Sequence, residues 1–82
     1  MRSPKINKTL FVGRLNPIVT NAQIVKLFSP YGTVISVAMG TEKCEEELNY
    51  CFVHMSSPDE ANQCLEALNN TLFKGELISI RF

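Results

Sequence analysis

The stretch Leu48-Asn49-Tyr50-Cys51-Phe52-Val53-His54-Met55 decides the fold. Tyr50, Phe52 and His54 occupy its even positions, and Cys51, Val53 and Met55 its odd ones. Successive strand side chains point to opposite faces, so this segment, as a strand, is apolar on one face and aromatic on the other. Such a strand needs cover on both sides, or a partner for the second side. What the rest of the chain supplies as cover therefore decides what the aromatic face is for.

Moving towards the N-terminus, Gly40 to Glu47 reads as a loop, with Glu42-Lys43-Cys44-Glu45-Glu46-Glu47 strongly acidic. Thr33 to Met39, rich in β-branched residues, reads as a second strand. Before it, Thr20-Asn21-Ala22-Gln23 matches a capping box, followed by Ile24, Leu27, Phe28 and Tyr31 at helical spacing. Gly32 is placed to close that helix, and Pro30 to shorten its last turn. Thr9-Leu10-Phe11-Val12-Gly13-Arg14 reads as the first strand, with Leu10 and Val12 inward, Thr9, Phe11 and Gly13 outward, and Pro17 stopping it. Residues 1–8, basic and broken by Pro4, read as a flexible lead-in to a domain spanning 9–82.

Towards the C-terminus, Ser57 is set to cap a second helix, with Pro58 at its first position and Glu60 completing a capping box. Ala61, Cys64, Leu65 and Leu68 give that helix one apolar stripe, and Asn69-Asn70 end it. Lys74-Gly75 is a turn signal. Ile78, Ile80 and Phe82 then alternate with Ser79 and Arg81 in a fourth strand, so Phe82 reads as core or as a strand end.

The order strand, helix, strand, strand, helix, strand predicts an α+β sandwich of the split βαβ, ferredoxin-like (βαββαβ) kind: a four-stranded antiparallel sheet with two helices on one face. Right-handed crossovers put both helices on the same side of the sheet. Both amphipathic elements are then consumed covering one face. Phe11, Tyr50 and Phe52 are left as an exposed aromatic patch, and such patches mark binding surfaces.

Composition narrows the function classes. The chain has 82 residues, 45% hydrophobic and 20% charged, in the range of an ordinary globular domain. Eight basic and eight acidic side chains leave it formally neutral, which argues against a strong global attraction for phosphate. No apolar run approaches a membrane span and the N-terminus has no apolar signal core, so the expectation is a cytosolic or nuclear chain without a membrane partner. Three cysteines, Cys44, Cys51 and Cys64, form no C-x-x-C pair, and His54 is the single histidine, so neither metal nor cofactor is expected. Cys51 and Cys64 fall at core positions, and Cys44 lies among glutamates that disfavour its thiolate.

At its two aromatic strands the chain resembles the RNA-recognition-motif family. Leu10-Phe11-Val12-Gly13-Arg14-Leu15 is similar to the family's first-strand hexamer, with arginine where asparagine is common. Tyr50, Phe52 and Val53 match the third, fifth and sixth positions of its octamer. Helix patterns and element order agree, over roughly residues 9 to 82. The resemblance implies single-stranded RNA as partner, with Phe11 and Phe52 as platforms for consecutive bases and Tyr50 wedged between riboses. His54, Ser79 and Arg81 would share that face, and Arg14 would add a phosphate contact. Leu48 stands where the octamer carries a cation, and Glu76 where a basic residue is common.

Magnitudes turn those departures into an expectation. Stacking contributes about 1–3 kcal/mol per base, so two platforms supply about 2–6 kcal/mol. Micromolar affinity needs about 8 kcal/mol. The domain alone is thus expected to bind weakly, as part of a larger RNA-processing protein with other domains, or with proteins of a ribonucleoprotein complex. Neutral charge, Leu48 and the acidic loop motivate a protein-interaction module on the same scaffold as the alternative. Catalysis is not expected: acylphosphatase-like hydrolases share the element order, and Arg14 and Asn49 are present, but no glycine-rich anion loop surrounds Arg14.

Overall fold

The computed structural model describes residues 8–40 and 48–82; the lead-in up to residue 7 and the acidic segment with Cys44 lie outside the described residues. The elements are β1 (Thr9–Leu15), α1 (Asn21–Phe28), a 3-10 turn (Ser29–Tyr31), β2 (Val34–Met39), β3 (Asn49–Met55), α2 (Pro58–Leu68), β4 (Leu72–Phe73), β5 (Glu76–Leu77) and β6 (Ser79–Arg81). The main sheet runs β2-β3-β1-β6, with every pair antiparallel. β1 and β3 are its centre, as expected for the strands that carry the aromatics. The sheet's last strand is the sixth in the chain, because a short hairpin, β4–β5, precedes it.

The buried face follows the alternation read from the sequence. Leu10, Val12, Cys51, Val53 and Met55 are fully buried, against Ile24 and Phe28 of α1 and Ala61 and Cys64 of α2. Ile78 and Ile80 close the same core beneath β6, and Leu65 packs against it half-buried. Tyr31, grouped in the sequence with the stripe of α1, is exposed instead, because the helix ends at Phe28 and Pro30 turns the chain into 3-10 geometry. Burial pushes the Cys51 thiol up to about 12. Cys64 rises to about 11, by burial first and the charge of Glu60 second, so both thiols stay protonated at neutral pH.

Three local features refine the sequence reading. β1 carries a bulge between Val12 and Leu15, with Arg14 in the left-handed region at φ 62°. The extra residue shifts the alternation by one, so Leu15 is buried with Leu10 and Val12 instead of facing solvent. Gly32 does not close α1 through a left-handed turn, since its φ is an extended 168°. Its small size matters instead: a Cβ there would lie 2.6 Å from the Cβ of Glu60, so α2 can approach only a glycine. Lys74 and Gly75, with φ 54° and 86°, form a two-residue hairpin turn of the type that matches strand twist, tied down by Asn16 Nδ2 donating to the Lys74 carbonyl at 3.1 Å.

Capping departs from expectation in one place. Thr20 and Gln23 form the complete box at α1. At α2, Ser57 Oγ accepts from the Glu60 amide at 3.2 Å, but the Glu60 carboxylate is taken up by the Ser56 hydroxyl and by the Thr33 amide at 3.1 Å. It therefore joins the start of α2 to the residue before β2. Those bonds, Ser56 first and Thr33 second, hold the Glu60 carboxyl below its ordinary value of 4.5. A carboxyl depressed in the folded state stabilises the fold above its ordinary value, and that contribution is lost as pH falls through the lowered one. Replacing Glu60→Gln should lower stability at neutral pH and flatten the decline below about pH 4.5, read from urea unfolding across an acid series. Parallel acid limbs for the two proteins would show that the carboxylate contributes nothing.

Candidate functional site

The sheet's open face is organised by register. One row crosses all four strands: Ala38 of β2 faces Phe52 of β3, Phe52 faces Phe11 of β1, and Phe11 faces Arg81 of β6. The alternation of β1 and β3 fixes these side chains opposite the core, because Leu10, Val12, Cys51 and Val53 point into it. Phe11 and Phe52 rings lie 5.3 Å apart, tilted by 59°. Tyr50 stands 5.7 Å from Phe11, stacked at 29°, and 6.1 Å from Phe52, edge-on at 79°. The three rings thus form one contiguous cluster in mutually supporting geometries. Phe52 is 43% exposed, the most open of them, while Phe11 and Tyr50 are half-buried.

Packing explains why the rings stay in place. Gly13, next outward position on β1, has no side chain, and the Phe11 Cε2 lies 3.3 Å from where a Cβ would stand. The ring can therefore settle towards the backbone. Ser79 of β6 pairs with Gly13 and is half-buried. On the other side of the aromatic row, His54 pairs with Thr9 and Ser36, and its Nδ1 lies 2.8 Å from Thr9 Oγ1. A polar border thus adjoins the apolar rings.

The seven residues singled out in the sequence are placed as follows. Phe11, Tyr50, Phe52 and Arg81 come together. His54 and Ser79 flank them along the strands. Arg14 is exposed at the bulge, where its Nε donates to the Leu77 carbonyl at 3.0 Å, an anchor the sequence did not foretell. Arg81 lies over Phe11, with its Cζ 5.2 Å from the ring centroid. An open groove of about 510 Å³ is lined by Thr9, Phe11, Phe52, Arg81 and Phe82.

Phe82 lines the groove just past the end of β6, the second of the two placements its alternation left open. It shares parity with Ile78 and Ile80, yet is 37% exposed and borders the groove. The last paired residue of β6 is Arg81, so no ladder enforces the alternation one position later. Among the described residues no group of acidic, histidine or cysteine side chains could hold a metal ion, and no helix is long and apolar enough to cross a membrane.

Comparison with known proteins agrees with this geometry. The model of the RNA recognition motif family matches residues 10–79. The chain is 37% identical over 73 residues to a polyadenylate-binding protein, cytoplasmic and nuclear, of Chaetomium globosum, covering 88% of this chain and 9% of that protein. It is 31% identical over 77 residues to RNA-binding protein 4B of Mus musculus, covering 94% of this chain and 20% of that protein. The chain therefore spans a small fraction of these curated relatives. Among solved structures it is similar to the Mip6 RRM3 domain, with TM-score 0.85, 28% identity, and 90% and 89% of the two chains covered. It is also similar to the first two RRM domains of yeast poly(U) binding protein, with TM-score 0.83, 25% identity, and 89% and 44% covered.

Proposed function

The chain belongs to the RNA recognition motif family, a family of RNA-binding domains and not of enzymes, and from that premise we propose that it binds single-stranded RNA by stacking bases on its open aromatic face. The observation that supports this reading is the row Phe52–Phe11 with Tyr50 beside it, uncovered by any described element and backed by a complete core. Bases stack on Phe11 and Phe52, and Tyr50 packs against the ribose between them. His54, Ser79 and Arg14 supply polar contacts at the borders, and Arg81 contacts the RNA beside Phe11.

Among the described residues, cations are few on this face. Leu48, 39% exposed, occupies the position where the motif carries a basic residue, and the Arg14 Nε is engaged by the Leu77 carbonyl. Binding by this domain alone is then weak and dominated by stacking, roughly tens of micromolar or weaker. Useful affinity comes from neighbouring domains of a longer protein by effective concentration. Relatives named for polyadenylate and for poly(U) make oligo(A) and oligo(U) the natural probes. The expected result is a log-log salt slope of only about −0.7 to −1.4, measured by fluorescence anisotropy, which corresponds to one or two phosphate contacts on a single strand. A slope several times steeper would replace stacking with charge as the basis of binding.

A second reading, a protein-interaction module, has one observation in its favour. A cleft of about 260 Å³ between α1 and the β4–β5 hairpin is lined by Gln23, Lys26, Leu27, Phe73 and Lys74. It lies on the helix side, so a protein seated there would leave the aromatic face open to RNA.

A further inference from the structure

The two platform rings are not equivalent. Across the sheet, Phe52 has the small, exposed Ala38 as its outer neighbour, whereas Phe11 has Arg81. The Arg81 guanidinium carbon stands 5.2 Å over the Phe11 centroid, and the groove beside the pair holds about 510 Å³. Resting on the RNA-binding reading above, we propose that Arg81 is the second wall of a base slot on Phe11, and that this slot selects a purine.

The dimensions allow it. A base inserted between ring and guanidinium needs two van der Waals layers, about 7 Å in all. The present separation is 5.2 Å, so the guanidinium must move outward by the difference, about 2 Å. Arg81 can do this without disturbing the sheet. Its backbone is fixed by the pairing with Phe11, while its side chain is exposed on an edge strand.

The chemistry favours it as well. A guanidinium is planar, delocalised and weakly hydrated, and it stacks on bases as on aromatic rings. A bicyclic purine covers more of both walls than a pyrimidine does, so a two-sided slot amplifies the difference. Phe52, with one wall, accepts either class. The predicted pattern along the strand is a purine on Phe11 beside an unrestricted base on Phe52.

The test measures affinities of the whole chain for labelled oligo(A) and oligo(U) octamers over a salt series, for the wild type, Arg81→Lys and Arg81→Ala. The expected result is a wild-type preference for oligo(A) of at least about fivefold. Both variants lose about fivefold or more on oligo(A) and bring the two affinities together, with the salt slope unchanged. Lysine fails here because its ammonium keeps the charge but not the plane. If Arg81→Lys binds as the wild type does while Arg81→Ala loses about 0.7 from the salt slope, Arg81 contacts phosphate and the slot is wrong. Tighter binding by Arg81→Ala would make the arginine a cover that obstructs Phe11, and equal affinities for all three proteins would give it no role. Loss of binding in Phe52→Ala alongside neutral Arg81 variants would leave RNA binding standing and remove only the slot. A wild type that binds neither RNA overturns both readings.

Discussion

Replacing Phe52→Ala should weaken single-stranded RNA binding by roughly 5- to 150-fold while leaving the fold intact. The range is one lost base stack, about 1–3 kcal/mol, converted at about 1.4 kcal/mol per tenfold. From the weak starting affinity proposed above, a loss in the upper part of that range would take binding out of reach of most titrations. The fold should survive because Phe52 is 43% exposed and contributes nothing to the core beneath it. Its removal does take away the partner of Phe11 at 5.3 Å, an aromatic pair worth about 0.5–1.5 kcal/mol, so a modest fall in stability is expected. Isothermal calorimetry for binding and urea unfolding for stability separate the two effects. Normal binding by a folded variant would refute stacking on β3.

The complementary experiment is Phe28→Ala. Phe28 is fully buried at the end of α1, among the largest core side chains, and its carbonyl accepts a long contact of 3.8 Å from the Cys64 thiol. Truncating a buried phenylalanine costs about 3–5 kcal/mol, from lost transfer energy and the cavity left behind. A domain of this size has a total stability of only about 4–12 kcal/mol. The variant should therefore melt at least about 12 °C lower, and should be partly unfolded at 37 °C if the wild type lies at the low end. Its RNA affinity at low temperature, in the folded fraction, should be that of the wild type. A change below about 1 kcal/mol would mean that the α1–sheet interface is not the main support of the fold.

Together these two substitutions separate what the sequence states clearly from what it hides. The alternation across Tyr50–Met55 and Thr9–Val12 is strict, and a sheet covered on one side by two helices leaves it a single solution, so the buried and aromatic faces were both legible. The capping box at Thr20 and the Ser57-Pro58 start were equally local, and they fix where the helices begin.

What the sequence hid is non-local or too short to leave a period. The turn at Lys74-Gly75 was legible, but the strands it joins were not, because β4 and β5 have two residues each, too few for alternation. The bulge at Arg14 moves Leu15 inward; the only trace in the sequence is an apolar residue at the wrong parity. The bonds of Glu60 to Ser56 and Thr33, and the closeness of Gly32 to α2, depend on how β2 meets α2 in space. Arg81 over Phe11 depends on strand order, since the two residues are neighbours only because β6 pairs with β1.

The central claim is that the uncovered aromatic row is the RNA surface, and an NMR titration of the isotope-labelled chain with short single-stranded RNAs of mixed sequence tests it most directly. Shift changes centred on Phe11, Tyr50 and Phe52, and spreading to Thr9, His54 and Arg81, are the predicted result. No changes at millimolar RNA in a folded chain, or changes confined to Lys26, Leu27, Phe73 and Lys74 on the helix side, would contradict it.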